Sequence, residues 1–304
     1  MGFVRQNAVR VAVLDEFDNI VDPEVVAASE ALGPGLIVLD DAQHGGATCD
    51  WLGVSESLRI DFRCHLYTYG PTWLSAATTD PDAPALSGRS VSVGVVNGPL
   101  DRAELTLGLT KVTAGSPLSL SIRTYDAWDN PYVVRSSDRI DLSDTLGGID
   151  VDHIMLGAEG RGTATIELEK AGETRVVASR SGAILGTSEV VVVEPDSASA
   201  LEISVDEPWG FVGDAASVTV QAVDAYGNHT VLGDPVSITS RRGTFGSVSV
   251  GLVDGRGTAS IAFDHPHLAE EITGRTSGGL TGMRSGFLVV EDCGSSGPNL
   301  SLLF

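Results

Sequence analysis

Three Asp-aromatic-Asn turns are the most regular polar feature of the sequence. They read D-E-F-D-N with Asp15, Phe17 and Asn19, D-A-W-D-N with Asp126, Trp128 and Asn130, and D-A-Y-G-N with Asp224, Tyr226 and Asn228. Asp and Asn side chains bond nearby backbone amides and tolerate turn conformations. The pattern therefore predicts structural turns whose central aromatics cover the end of a core. Asp, Asn and carbonyl oxygens are also calcium ligands. Each turn offers few carboxylates and no bidentate Glu, so the structural turn is the stronger reading and no metal site is assigned.

Other reactive residues are scattered. Asp40, Asp41 and His44 form a D-D-A-Q-H run, and His265-Pro266-His267 forms a second cluster. Either could bind a metal or serve as acid and base, but neither has a partner at helical or hairpin spacing, so both read as solvated loops. Cys49 and Cys64 are the only near pair. A bridge closing this loop would add about 3 kcal/mol, and two buried thiols is the equal alternative. Cys293 is left over in a Gly/Ser-rich tail. Trp51 and Trp73, with Tyr67 and Tyr69, offer stacking faces for a sugar, against the stronger reading that they are core or sandwich-end aromatics. No nucleophile elbow, phosphate loop or dinucleotide fingerprint is present, and the sequence is not read as an enzyme.

The elements that position these residues recur. Each turn closes an alternating strand: V-R-V-A-V-L from Val9, L-S-I-R-T-Y from Leu120, V-T-V-Q-A-V from Val218. Val9, Val11 and Val13 share parity with Leu120, Ile122 and Thr124, and with Val218, Val220 and Ala222, so one face is apolar in all three. Valine-rich strands ending at Val95-Val96, Val192-Val193 and Val289-Val290 close the units at a spacing of 97 residues. G-R-G-T-A occurs at Gly160–Ala164 and Gly255–Ala259, each time before another alternating strand. Short strands punctuated by turn residues, about seven per unit, make a β-sandwich. The reading is an all-β chain of three tandem sandwiches, residues 1–96, 97–193 and 194–290, followed by a tail, 291–304.

Composition agrees. The 304 residues carry 41 acidic and 19 basic side chains, a net charge of −22, which disfavours a nucleic-acid partner. The apolar content, 42%, is too high for an acidic disordered tail. No apolar run is long enough to span a bilayer as a helix, and the first residues lack the features of a secretory signal.

On T-A-G-S-P-L-S-L-S-I-R-T-Y-D-A-W-D-N-P, V-Q-A-V-D-A-Y-G-N, D-G-R-G-T-A-S-I and the closing valine strands, the sequence resembles bacterial immunoglobulin-like domains of the invasin/intimin type, with filamin-like repeats the near alternative. The resemblance is close for residues 97–193 and 194–290 and weaker for 1–96. It implies a structural spacer or adhesive rod of a bacterial cell-surface or secreted protein, with other surface proteins or host-cell ligands as partners. The alternatives are a carbohydrate- or protein-binding module, or accessory repeats of a larger secreted enzyme. No cofactor is implied, weak calcium binding at acidic linkers being the one alternative.

The first unit departs from the pattern. It has no counterpart of the opening strands Glu104–Leu109 and Leu201–Val205, so it lacks an N-terminal edge strand. Its extra residues fall within 23–57, the expected seat of any binding specificity. The missing strand is explained either by a chain that is a piece of a longer protein, the favoured reading, or by an insertion that covers the exposed edge.

Overall fold

The computed structural model describes residues 7–12, 37–41, 47–54, 60–78, 87–134 and 138–291. These residues form 26 strands and no helix. Among the described residues the buried apolar side chains fall into three clusters, one within residues 39–74, one within 103–193 and one within 201–289.

The second repeat shows how the alternation is used. Pro117–Tyr125 lies between Arg161–Glu167 and Arg102–Leu107 in an antiparallel sheet. Its odd-numbered neighbours face water while Leu118, Leu120, Ile122 and Thr124 are buried. A four-stranded sheet, His153–Met155, Arg139–Asp144, Val176–Arg180 and Ala183–Thr187, supplies Ile140, Leu142, Val176 and Ala178 to the same core. Lys111–Thr113 runs parallel to Val191–Glu194, whose other edge pairs with Gly172–Thr174. Each fully buried Leu, Ile or Val contributes about 1.5–3 kcal/mol.

The third repeat follows the same plan, with Ala215–Val223 between Ala200–Val205 and Arg256–Ala262. Its second sheet has the order Trp209–Phe211, Thr281–Val290, His267–Thr276, Val236–Ser240, Val248–Val250. Phe263 stacks on Phe287 with centroids 4.9 Å apart and meets Phe245 edge-on at 5.8 Å. The G-R-G motif recurs because its first glycine has φ of 66° at Gly160 and 76° at Gly255, and a Cβ at either would collide with the carbonyl of Tyr132 or Thr230.

A buried carboxylate anchors each of these two sandwiches, from opposite strands. In the second repeat Asp144 accepts N–H bonds from Leu146, Gly148 and Ile149 and the Thr174 hydroxyl. At the equivalent positions of the third repeat stand Ser240 and Glu270. There Glu270 accepts from the Thr244 hydroxyl and the N–H groups of Arg242 and Glu271, and Ser240 receives the Thr244 N–H. Acid and hydroxyl have exchanged strands while the loop amides stay satisfied, as buried donors must.

In the first repeat Asn7–Val11 pairs only with Ile60–Leu66 among the described residues, so its other edge has no strand matching Arg102–Leu107. The strand Ala47–Val54, from the extra segment, pairs with the far side of Ile60–Leu66. Of the strands described within 23–57, Ala47–Val54 extends the opposite edge and Ile37–Asp41 pairs with Leu74–Thr78 in another sheet, so neither covers the open edge. The strand pairings also refine the register. Val95, Val193 and Val289 are equivalent through Gly70, Gly172 and His267, so the closing strands are spaced by 98 and 96 residues and not by an even 97.

Cys49 and Cys64 are joined by a disulfide across the directly opposed pair of strands Ala47–Val54 and Ile60–Leu66. Among the described residues Cys64 is packed with Leu39, Ile60, Phe62 and Leu74 in the buried cluster of this repeat, so the cross-link is anchored in its core. Reduction, or the double change Cys49→Ala with Cys64→Ala, should lower the stability of the first repeat by about 3 kcal/mol. Urea unfolding followed through Trp51 and Trp73 measures this, and a midpoint insensitive to reductant would show that the bridge does not restrain the repeat.

Candidate functional site

The Asp-aromatic-Asn turns of the second and third repeats lie where consecutive repeats meet. In the second repeat Asp126, fully buried, collects the turn's own donors. Its Oδ1 accepts the N–H groups of Trp128 at 2.9 Å and Asn130 at 3.0 Å. Its Oδ2 accepts the N–H of Gly98, in the linker from the first repeat, at 2.8 Å. The Asn130 amide nitrogen touches both oxygens. Asp224 repeats the arrangement with Tyr226, Asn228 and the linker N–H of Asp196. These N–H donors occupy the carboxylate lone pairs and close each turn on its own backbone and linker.

Each Asn then reaches back across the junction. Asn130 Nδ2 donates to the carbonyl of Tyr67 at 2.6 Å, and the N–H of Tyr69 donates to Asn130 Oδ1 at 2.8 Å. Asn228 does the same with the carbonyl of Glu169 at 2.7 Å and the N–H of Ala171 at 2.9 Å. A primary amide presents a donor and an acceptor side by side, which matches the C=O of one residue and the N–H two residues later across the bend that precedes Gly70–Thr72 or Gly172–Thr174. The neighbouring repeat is thus gripped through its backbone, whatever its side chains.

The aromatics also look outward. Tyr226 packs against the buried core of the second repeat, and a Cβ on Gly115 would collide with its hydroxyl. Gly115 has φ of 72°, so glycine is required there both for conformation and for the close approach. Trp128 lies on Gly98 and meets the ring of Tyr67 at 6.1 Å. Tyr67 is fixed in turn by a 2.9 Å hydroxyl contact to Thr48, beside the disulfide. The core whose end Tyr226 covers is that of the preceding repeat.

The other predicted positions are not gathered into a site. Asp15, Phe17, Asn19, His44 and Cys293 lie outside the described residues. Asp40 and Asp41 end the strand Ile37–Asp41. Trp51 is partly exposed on the inserted strand, opposite Phe62. The Arg89 guanidinium lies over the Trp73 ring at 4.1 Å. His267 Nδ1 accepts the Ala269 N–H. Among the described residues no cluster of His, Cys, Asp and Glu suited to a metal occurs. The junction contributions of Gly98, Gly115, Glu169 and Ala171 escape a sequence reading, except that Gly115 and Gly213 recur at the spacing of the turns.

At Asp224 burial pushes the carboxyl pKa up, but the bonds from Asn228, Asp196 and Tyr226 outweigh it and hold the group below the usual carboxylate range. Glu270 behaves alike: burial is overcome by Thr244, Arg242, Ser240 and Glu271.

No protein-family model and no curated protein sequence matches the chain. Solved structures similar to it include the Escherichia coli adhesin FdeC, at 19% identity over 93% of this chain and 91% of that one, with a TM-score of 0.39. Yersinia pseudotuberculosis InvD is 15% identical over 93% and 92%, with a TM-score of 0.33. Invasin, a bacterial integrin-binding protein, is 16% identical over 92% of this chain and 56% of that one, with a TM-score of 0.34.

Because both folded-state pKa values are depressed, the unfolded chain takes up protons first on acidification. The stabilisation is complete above the ordinary carboxylate range and is lost as pH falls through the folded values. Calorimetric melting from neutral to strongly acid pH should show the third repeat losing stability in that window, with Asp224→Asn reducing the slope. At neutral pH Asn228→Ala should cost about 1–3 kcal/mol of coupling between the second and third repeats, from two lost hydrogen bonds. Melting of the two repeats with unchanged cooperativity would contradict that role.

Proposed function

We propose that the chain is a load-bearing spacer: a stiffened segment of a bacterial cell-surface or secreted protein that holds another module away from its anchor. The observation that carries this reading is the repetition of one backbone clamp, with the same four donor and acceptor roles, at both described junctions. A string of domains whose only task is to fold needs no such device, since domains joined by bare linkers move relative to one another by default. The linkers are tied down as well, through Gly98 to Asp126 and Asp196 to Asp224.

The remaining features suit an exposed, extracytoplasmic setting. A structural disulfide persists in oxidising compartments. The charge of −22 keeps like rods apart in solution. Backbone-directed clamps let outward side chains vary without loosening the joints, which leaves the flanks free to carry adhesive contacts with other surface proteins or host-cell ligands.

A compact chain of this length would have a radius of gyration of roughly 19 Å. Small-angle scattering should instead give a value about one and a half times that or more, with an elongated distance distribution. The pair Asn130→Ala and Asn228→Ala should broaden the distribution while each repeat still melts cooperatively. A compact radius for the unaltered chain would overturn the spacer reading.

A further inference from the structure

One face of the third repeat departs from its counterpart in the second. On the outer side of the closing strands the second repeat carries Lys111, Thr113, Glu173, Val192 and Glu194, and Lys111 pairs with Glu194 at 2.7 Å. The equivalent strands of the third repeat carry Trp209 opposite Leu288 and Phe211 opposite Val290. Leu268, in the bulge of His267–Thr276, sits beside Leu288. Gly210 and Val289 point the other way, toward Phe287 and Phe263, so Trp209 and Phe211 face outward. Trp209 is 46% exposed and Leu268 82%, and the two aromatic rings meet edge-on at 5.0 Å. An ion-paired surface has been replaced by five apolar side chains across three neighbouring strands, on a chain of charge −22.

We propose that the segment Leu300–Phe304 of the same chain folds back and covers this face. The strand Thr281–Val290 ends within the patch, since Val290 is one of its members. Beyond Glu291 and Asp292 the sequence reads Cys293-Gly-Ser-Ser-Gly-Pro-Asn299. Leu300-Ser301-Leu302-Leu303-Phe304 then places four apolar side chains in five residues. Nine residues from Glu291 to Leu300 reach about 30 Å when extended, and the patch spans roughly 10 Å across three strands. The segment 293–304 carries no charged side chain, so it approaches an acidic molecule without repulsion. The cover does not depend on the spacer reading.

The test compares the full chain with a version truncated after Asp292 and with the pair Leu302→Asp and Phe304→Ser. The Trp209→Phe variant of each isolates the Trp209 signal by difference. In the full chain Trp209 emission should be blue-shifted and at least twofold less quenched by acrylamide than in either altered chain. Amides of Trp209–Phe211 should exchange more slowly. Melting of the second and third repeats, measured in parallel, establishes that they remain folded. Equal quenching and exchange in all three chains overturns the proposal. Protection that appears only with concentration, together with a dimer by light scattering, also overturns it and assigns the face to a second copy.

Discussion

A buried aspartate that spends its lone pairs on backbone N–H groups is the constraint on which the junctions depend. Asp126 and Asp224 each hold a turn closed by accepting from the residues two and four positions on, and each also accepts an N–H from the linker. With the turn's own donors satisfied locally, the terminal amide of Asn130 or Asn228 keeps one carbonyl and one N–H for the neighbouring repeat. Removing the carboxylate would leave several buried donors unpaired, at roughly 1–3 kcal/mol each. Removing only the asparagine would loosen the joint and leave the turn. The aspartate therefore belongs to the stability of one repeat and the asparagine to the relation between two.

Electrostatics and packing act together at this point. The same hydrogen bonds that lower the Asp224 pKa against burial are the bonds that fix the position of Tyr226. Tyr226 then fills the space left by Gly115 at the end of the second repeat's core. At the first junction the chain of contacts is longer. The disulfide lies beside Thr48, Thr48 meets the Tyr67 hydroxyl, and the Tyr67 carbonyl accepts from Asn130. The cross-linked core of the first repeat is thereby connected to the joint that follows it.

Much of the fold was legible because its signals are local. Alternation in Leu120–Thr124 and Val218–Ala222 marks the buried face directly, and G-R-G marks a left-handed position with no room for a side chain. The closing strands were legible only to within a residue. Val190 to Val193 is an unbroken run of valines, so parity cannot be read from it, and only pairing selects Val191 and Val193 as the buried pair. The disulfide was open because apolar burial suits a thiol and a bridge equally. The outward direction of Trp128 and Tyr226 was not legible because a turn aromatic carries no sign of which core it meets. Its partners, Gly98 and Tyr67 or Gly115, lie in another repeat or its linker.

The third repeat shows what the clamp demands of its receiver. The carbonyl acceptors Tyr67 and Glu169 correspond to Asp264, and the N–H donors Tyr69 and Ala171 correspond to Pro266, as the shared pairing of Gly70, Gly172 and His267 establishes. Proline has no N–H, so this end can meet only half of an asparagine amide. Gly213, the counterpart of Gly115, keeps the left-handed backbone with φ of 89° but has open space where Tyr226 would sit. The strand that leads into Gly213 bears Trp209 and Phe211, and the strand after Pro266 bears Leu268. The far end of this repeat thus replaces a directional, backbone-reading grip with a non-directional apolar surface. That exchange gives up the geometry that fixes one repeat against the next, and it favours a covering segment that needs area more than register.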